Sequence, residues 1–119
     1  MLSNNLDIYK KSMDLASTII DVSQKLPHDL KEVLGNQLMA DSFEIFRYIL
    51  KANRYKQKRV RYLEELINNM EKLCALIRIC DMKHYIGKKQ MASLIKLTTQ
   101  ISKEAIGWKK SSEKSDELE

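Results

Sequence analysis

Glycine and proline are nearly missing from this chain, whose 119 residues hold three glycines and one proline. Folds of many short strands need those residues at their turns, so a β-sandwich or barrel is excluded. Cysteine is scarce as well: Cys74 and Cys80 are too few for a disulfide framework. No apolar run reaches the roughly 18–20 residues that span a bilayer. The opening Met1-Leu2-Ser3-Asn4-Asn5 lacks the charged-then-apolar layout of a secretion signal. The expectation is a soluble, reduced, cytoplasmic protein with no membrane contact. Acids, finally, are absent from one stretch. Between Glu44 and Glu64 there are none, while Arg47, Lys51, Arg54, Lys56, Lys58, Arg59 and Arg61 fall inside it. The chain carries a net +5 and its remainder is slightly acidic, so the excess positive charge is local. A concentration of that kind suits a polyanionic partner.

What is present is helical periodicity. From Leu6 to Leu26 two adjacent apolar stripes run together, one of Ile8, Leu15, Ile19, Val22 and Leu26, the other of Tyr9, Met13, Ala16 and Ile20. Pro27 breaks the pattern, and Asp29 with Glu32 three residues on predicts a capping box for the next helix. That helix again has two stripes, Leu34, Leu38, Ile45 and Ile49 beside Met39, Phe43, Phe46 and Leu50, ending near Asn53. The third, from about Lys58 to Asp81, places Val60, Leu63, Ile67, Met70, Cys74 and Ile77 at alternating threes and fours. A fourth follows Gly87 and carries Met91, Leu94, Ile95, Thr98, Ile101, Ala105 and Trp108. Short connections force antiparallel neighbours, which predicts an all-α, up-down-up-down four-helix bundle over residues 1–110. The polar stretch 111–119 reads as a disordered tail. A bundle helix needs an apolar face of about 100°. The second stripes of the first two helices exceed that width and predict association with further copies.

Chemistry-bearing motifs are absent. The chain has no GxGxxG, Walker loop, GxSxG or HExxH. No glutamate has a histidine three residues later, as a di-iron bundle requires. His28 and His84 lie in predicted loops, and two cysteines six apart supply no four-ligand zinc set. No catalytic residue, metal, cofactor or small-molecule substrate is expected, and the thiols read as buried and inert. Asp41 is the odd acid, set among apolar positions where it needs a partner.

The bases form a pattern. Arg47, Lys51, Arg54 and Lys58 are spaced four, three and four, one face of a helix if it persists that far. In an antiparallel bundle the windows 7–11, 47–61 and 103–110 share an end, and they hold twelve bases against Asp7 and Glu104. Lys89, Lys96 and Lys103, spaced by seven, add a stripe along the fourth helix. The candidate nucleic-acid-binding residues are therefore Arg47, Lys51, Arg54, Lys56, Lys58, Arg59, Arg61, Lys89, Lys96 and Lys103. Their contacts would be to phosphate, salt-dependent and largely indifferent to sequence. Tyr48, Tyr55, Tyr62 and Trp108 lie among them, either to stack on unpaired nucleotides or to close the bundle. Arg54, Lys58 and Arg59 lie outside the apolar stripes and are expected to tolerate replacement.

In order and spacing the chain resembles the accessory variability determinant proteins of diversity-generating retroelements. These sit within a wider group of bacterial four-helix-bundle proteins that includes those encoded in ribosomal-RNA intervening sequences. The landmarks are Leu26-Pro27, Leu34-Gly35, the run from Phe43 to Asn53, the helix from Leu63 to Cys80, and Gly107-Trp108, covering about residues 6 to 110. The intervening-sequence branch typically has a Ser-x-Gln-Ile-Arg-Arg stretch and a later Pro-x-Asn. Here Asn36-Gln37-Leu38-Met39-Ala40 stands in that region without proline, which favours the retroelement branch. The resemblance implies a homopentamer that binds RNA, and possibly DNA, and a reverse transcriptase during mutagenic cDNA synthesis. A structural interaction module whose charge serves solubility is the other reading.

Overall fold

The computed structural model describes residues 3–118, with side chains from residue 6 onward. Helix α1, Ser3–Gln24, buries the first of its two apolar stripes: Ile8, Leu15, Ile19 and Val22 lie at the bundle axis. Two tight backbone bonds, Lys25 N–H to Val22 O and Leu26 N–H to Ser23 O, end it ahead of Pro27. A helical turn, His28–Leu30, and a wider π-helical turn, Lys31–Gly35, then lead without a break into α2, Asn36–Arg54. The expected capping box does not form. Pro27, at φ −52° and ψ 143°, is itself the N-cap, and its carbonyl accepts from the Leu30 and Lys31 amides. Asp29 falls in the first turn, where its charge still suits the helix dipole. At the wide turn Gly35 is buried against α1, its carbonyl accepting from Ser23 Oγ at 3.4 Å.

A single 3-10 turn, Lys56–Lys58, joins α2 to α3, Arg59–Met82. Helix α4, Lys88–Leu118, follows a connection in which His84 adopts φ 62°. Each helix packs on its sequence neighbours and α4 closes the ring against α1, while the diagonal pairs α1–α3 and α2–α4 do not meet. This is the antiparallel four-helix bundle that the periodicity predicts, with no strand among the described residues. Its extents are 52 × 24 × 21 Å, the long axis following the helices. Leu38, Ile45 and Ile49 of α2, Leu66, Leu73 and Ile77 of α3, and Leu94 and Ile101 of α4 complete the core.

One feature departs from the sequence reading. Residues 111–118, where composition predicts disorder, continue α4 as exposed turns, because no proline follows Trp108 and a Lys109–Glu113 pair at 3.6 Å supports the extension. The second stripes, wider than one bundle face needs, are split: Ala16 is buried and Tyr9 and Met39 pack against the core, while others stay outside it. Met13, Phe43 and Leu50 are 45%, 39% and 42% exposed, and they lie along the α1–α2 seam.

Candidate nucleic-acid interface

The α2–α3 hairpin builds the site. Tyr48 and Lys51 stand near the end of α2, Tyr55 terminates that helix at φ −111° and ψ 86°, and Tyr62 sits in the first turn of α3. Because the connection is only a 3-10 turn, the two helices bring these rings together. Tyr48 and Tyr62 stack at 6.5 Å between centroids with 29° between planes, and Tyr55 tilts against Tyr62 at 6.2 Å. Cations lie over all three: Arg47 over Tyr48 at 5.6 Å, Lys51 over Tyr62 at 5.5 Å, and Arg54 over Tyr55 at 5.4 Å. Beside the stacked pair runs an open groove of about 490 Å³, lined by these two rings with Arg47, Lys51, Lys58, Arg61 and Glu65.

Charge in the groove is unevenly committed. Arg47 donates twice to Glu44, Nε to Oε1 at 2.9 Å and Nη2 to Oε2 at 2.7 Å. The guanidinium holds the Glu44 carboxyl below the usual range. Lys51, Lys58 and Arg61 make no ion pair among the described residues. The Tyr48 hydroxyl is pushed up, first by burial and then by the charges of Glu44 and Glu65.

The family model described as bAvd-like matches residues 6–112. The chain belongs to the bAvd-like family. A solved structure of similar fold comes from Bacteroides thetaiotaomicron, a protein of unknown function from the S23 ribosomal protein family. It aligns with a TM-score of 0.79 at 20% identity, covering 90% of this chain and 98% of that one. At that identity the likeness extends to the fold alone. No curated protein matches the chain.

In this bAvd-like bundle the ten basic residues singled out by sequence part into three groups. Arg47, Lys51, Lys58 and Arg61 line the groove, and Arg54 and Lys56 are exposed at the same end of the bundle. Arg59 turns inward: its Nε donates to Ala52 O at 2.7 Å and Nη2 to Asn53 O at 3.3 Å, and its guanidinium lies 5.5 Å from the Trp108 ring centre. It closes the last turn of α2, and the expectation that it tolerates replacement is corrected on that ground. Lys89, Lys96 and Lys103 are exposed on α4, which does not touch α2. Their register sets them opposite the buried Leu94, Ile101 and Ala105, on the far face of the molecule from the groove.

The three converging windows do meet, but their charges are partly spent on holding the helices together. Lys11 Nζ reaches Asp7 at 2.8 Å and Glu104 at 3.3 Å, bridging α1 to α4. Burial and the bond to Asp7 raise Glu104, whereas bonds to Glu104 and Lys11 lower Asp7. Lys109 approaches Glu64 at 3.7 Å, tying α4 to α3. Asp41, only 2% exposed, finds the partners it needs: Oδ1 accepts from Gln37 at 2.8 Å and pairs with Lys72 at 3.2 Å. Asn69 bonds its carbonyl at 2.7 Å, while Oδ2 has no partner among the described residues.

Cys80 is buried, which pushes its thiol up. Cys74 is half-buried and lines a groove between α3 and α4, more accessible than its stripe predicts. Among the described residues no cluster of three or more His, Cys, Asp or Glu is placed to hold a metal, and no helix is long and apolar enough to cross a membrane. Glu65 is the groove residue that sequence reasoning passed over. Its signal was available: it stands three residues after Tyr62, just beyond the acid-free window.

Proposed function

We propose that this chain is a non-enzymatic accessory protein that binds nucleic acid, template RNA or an RNA–DNA hybrid, and associates as a homo-oligomer with a retroelement reverse transcriptase. The observation that carries the reading is the α2–α3 groove, where Lys51, Lys58 and Arg61 stand beside stacked tyrosines and make no ion pair among the described residues. Cations outside ion pairs next to π-faces are the combination that single-stranded polynucleotides use, phosphate on the former and base on the latter. Membership of the bAvd-like family supports the accessory role. The pentamer and the reverse-transcriptase partner rest on the resemblance to accessory variability determinants.

The apolar seams support self-association. One lies on α1–α2 with Met13 and Leu50, and a second on α3–α4 with Ile95 at 54% and Ile106 at 41% exposure. Ultraviolet crosslinking of template RNA, with the modified peptides mapped by mass spectrometry, tests the assignment. Crosslinks at Tyr48, Tyr55 or Tyr62 are expected. Crosslinks confined to α4 between Lys89 and Lys103 would move the interface to that stripe, and none at all would leave a structural interaction module.

A further inference from the structure

Within a groove that otherwise attracts phosphate, Glu65 is out of place. It repels the backbone of any polyanion, and among the described residues it makes no hydrogen bond or ion pair that would explain it as a structural group. Glu44, the other acid at this end of α2, is different: both of its oxygens are held by Arg47. Glu65 is exposed on the groove wall that it shares with Tyr48 and Tyr62, and its charge bears on the Tyr48 hydroxyl. A carboxylate next to an aromatic platform, flanked by Lys51, Lys58 and Arg61, is suited to reading a base edge. It accepts a hydrogen bond from the exocyclic amine of a base, as Glu and Asp do with cytosine N4.

We infer that the α2–α3 groove seats one unpaired, amine-bearing nucleotide, its base against Tyr48 and Tyr62, its amine on Glu65 and its phosphate among Lys51, Lys58 and Arg61. This rests on the nucleic-acid reading above and deepens it by naming the state and the kind of base. A paired base presents neither a free face nor a free Watson–Crick edge, so the groove discriminates against duplex. Lys51, now over Tyr62, is displaced by the base, since base-on-aromatic stacking is stronger than a solvent-exposed cation–π contact. The released ammonium is then available to phosphate. Uracil, with a carbonyl oxygen where cytosine has its amine, would set two acceptors face to face and is rejected.

Cytosine and uracil make the cleanest comparison, because they are similar in size and differ in that group. Fluorescence anisotropy on the full chain, with labelled oligocytidylate, oligouridylate and an RNA duplex, reads the preference directly. Oligocytidylate is expected to bind roughly tenfold more tightly than oligouridylate, and more tightly than duplex at the same salt. Glu65→Gln, an exposed substitution that keeps the fold by circular dichroism, should bring that ratio close to one. Tyr62→Leu should weaken oligocytidylate and leave the duplex unchanged. Equal binding of the two pyrimidine strands, or an unchanged ratio in Glu65→Gln, overturns the inference. The electrostatic reading survives that result if the Lys51→Gln, Lys58→Gln, Arg61→Gln variant still loses affinity for every RNA. If wild type binds no RNA, or the triple variant binds as wild type does, both readings fall together.

Discussion

His84 ends α3 with the backbone on the left-handed side, at φ 62°. The bonds around it, Tyr85 N–H to Cys80 O at 2.9 Å and His84 N–H to Asp81 O at 3.0 Å, are those of a Schellman cap, in which this position is normally glycine. A side chain there brings Cβ too close to the following carbonyl, at about 1–2 kcal/mol, partly offset because glycine loses more freedom on folding. His84→Gly is therefore expected to stabilise the chain by about 0.5–1 kcal/mol. Urea unfolding by circular dichroism checks it: the midpoint should rise with the slope unchanged. A lower midpoint would mean that the imidazole contributes a contact outweighing the strain. The histidine was visible in the sequence as part of a short polar connection. That it occupies the left-handed position was not, because glycine stands three residues later at Gly87 and drew the turn to itself.

Among the helices, the pairing of α2 with α3 is held by Arg59 as much as by apolar contact. Its guanidinium donates to the carbonyls of Ala52 and Asn53 and covers Trp108 of α4. Removing it takes a 2.7 Å charge-assisted bond from the part-buried Ala52 carbonyl, so Arg59→Gln is expected to cost about 1–3 kcal/mol. Lys58→Gln, one residue earlier on the exposed turn, should change stability by less than about 0.5 kcal/mol. Parallel urea titrations separate the two, and an equal, negligible effect would return Arg59 to the free surface cations. The periodicity made the helices themselves readable, since Ile8, Leu15, Ile19 and Val22 are buried in the order their spacing predicts. Which of seven neighbouring bases turns inward was not readable. Arg59 has no sequence feature that sets it apart from Arg54 or Arg61, and the choice depends on the angle at which a single 3-10 turn sends the chain back. Tyr48 and Tyr62 are fourteen residues apart, so their stacking likewise appears only once the hairpin is closed.

For the bundle as a unit, the two apolar seams matter together. The α1–α2 seam and the α3–α4 seam are opposite edges of the ring of helices and differ in their residues, with Met13 and Phe43 on one and Ile95 and Ile106 on the other. Unlike surfaces that pair head to tail generate rings where the rotation closes and open filaments where it does not, whereas a twofold dimer uses the same patch twice. Light scattering is expected to give a mass above two protomers, near five if the retroelement resemblance extends to assembly. A monomer at micromolar concentration would contradict the oligomer reading. Such a ring would repeat the basic groove once per protomer, and its hold on RNA would be largely electrostatic. The proposed function stands or falls on whether Lys51, Lys58 and Arg61 touch phosphate, and the salt dependence of RNA affinity reports on that without an intermediate step. Plotting log affinity against log salt for wild type and for the variant with all three changed to Gln compares the number of phosphates that each protein neutralises. The variant's slope should be shallower by roughly 0.7 for each single-strand phosphate it no longer neutralises, about 2 for one protomer's three cations. The same slope for both proteins would contradict a phosphate-binding role for the three cations.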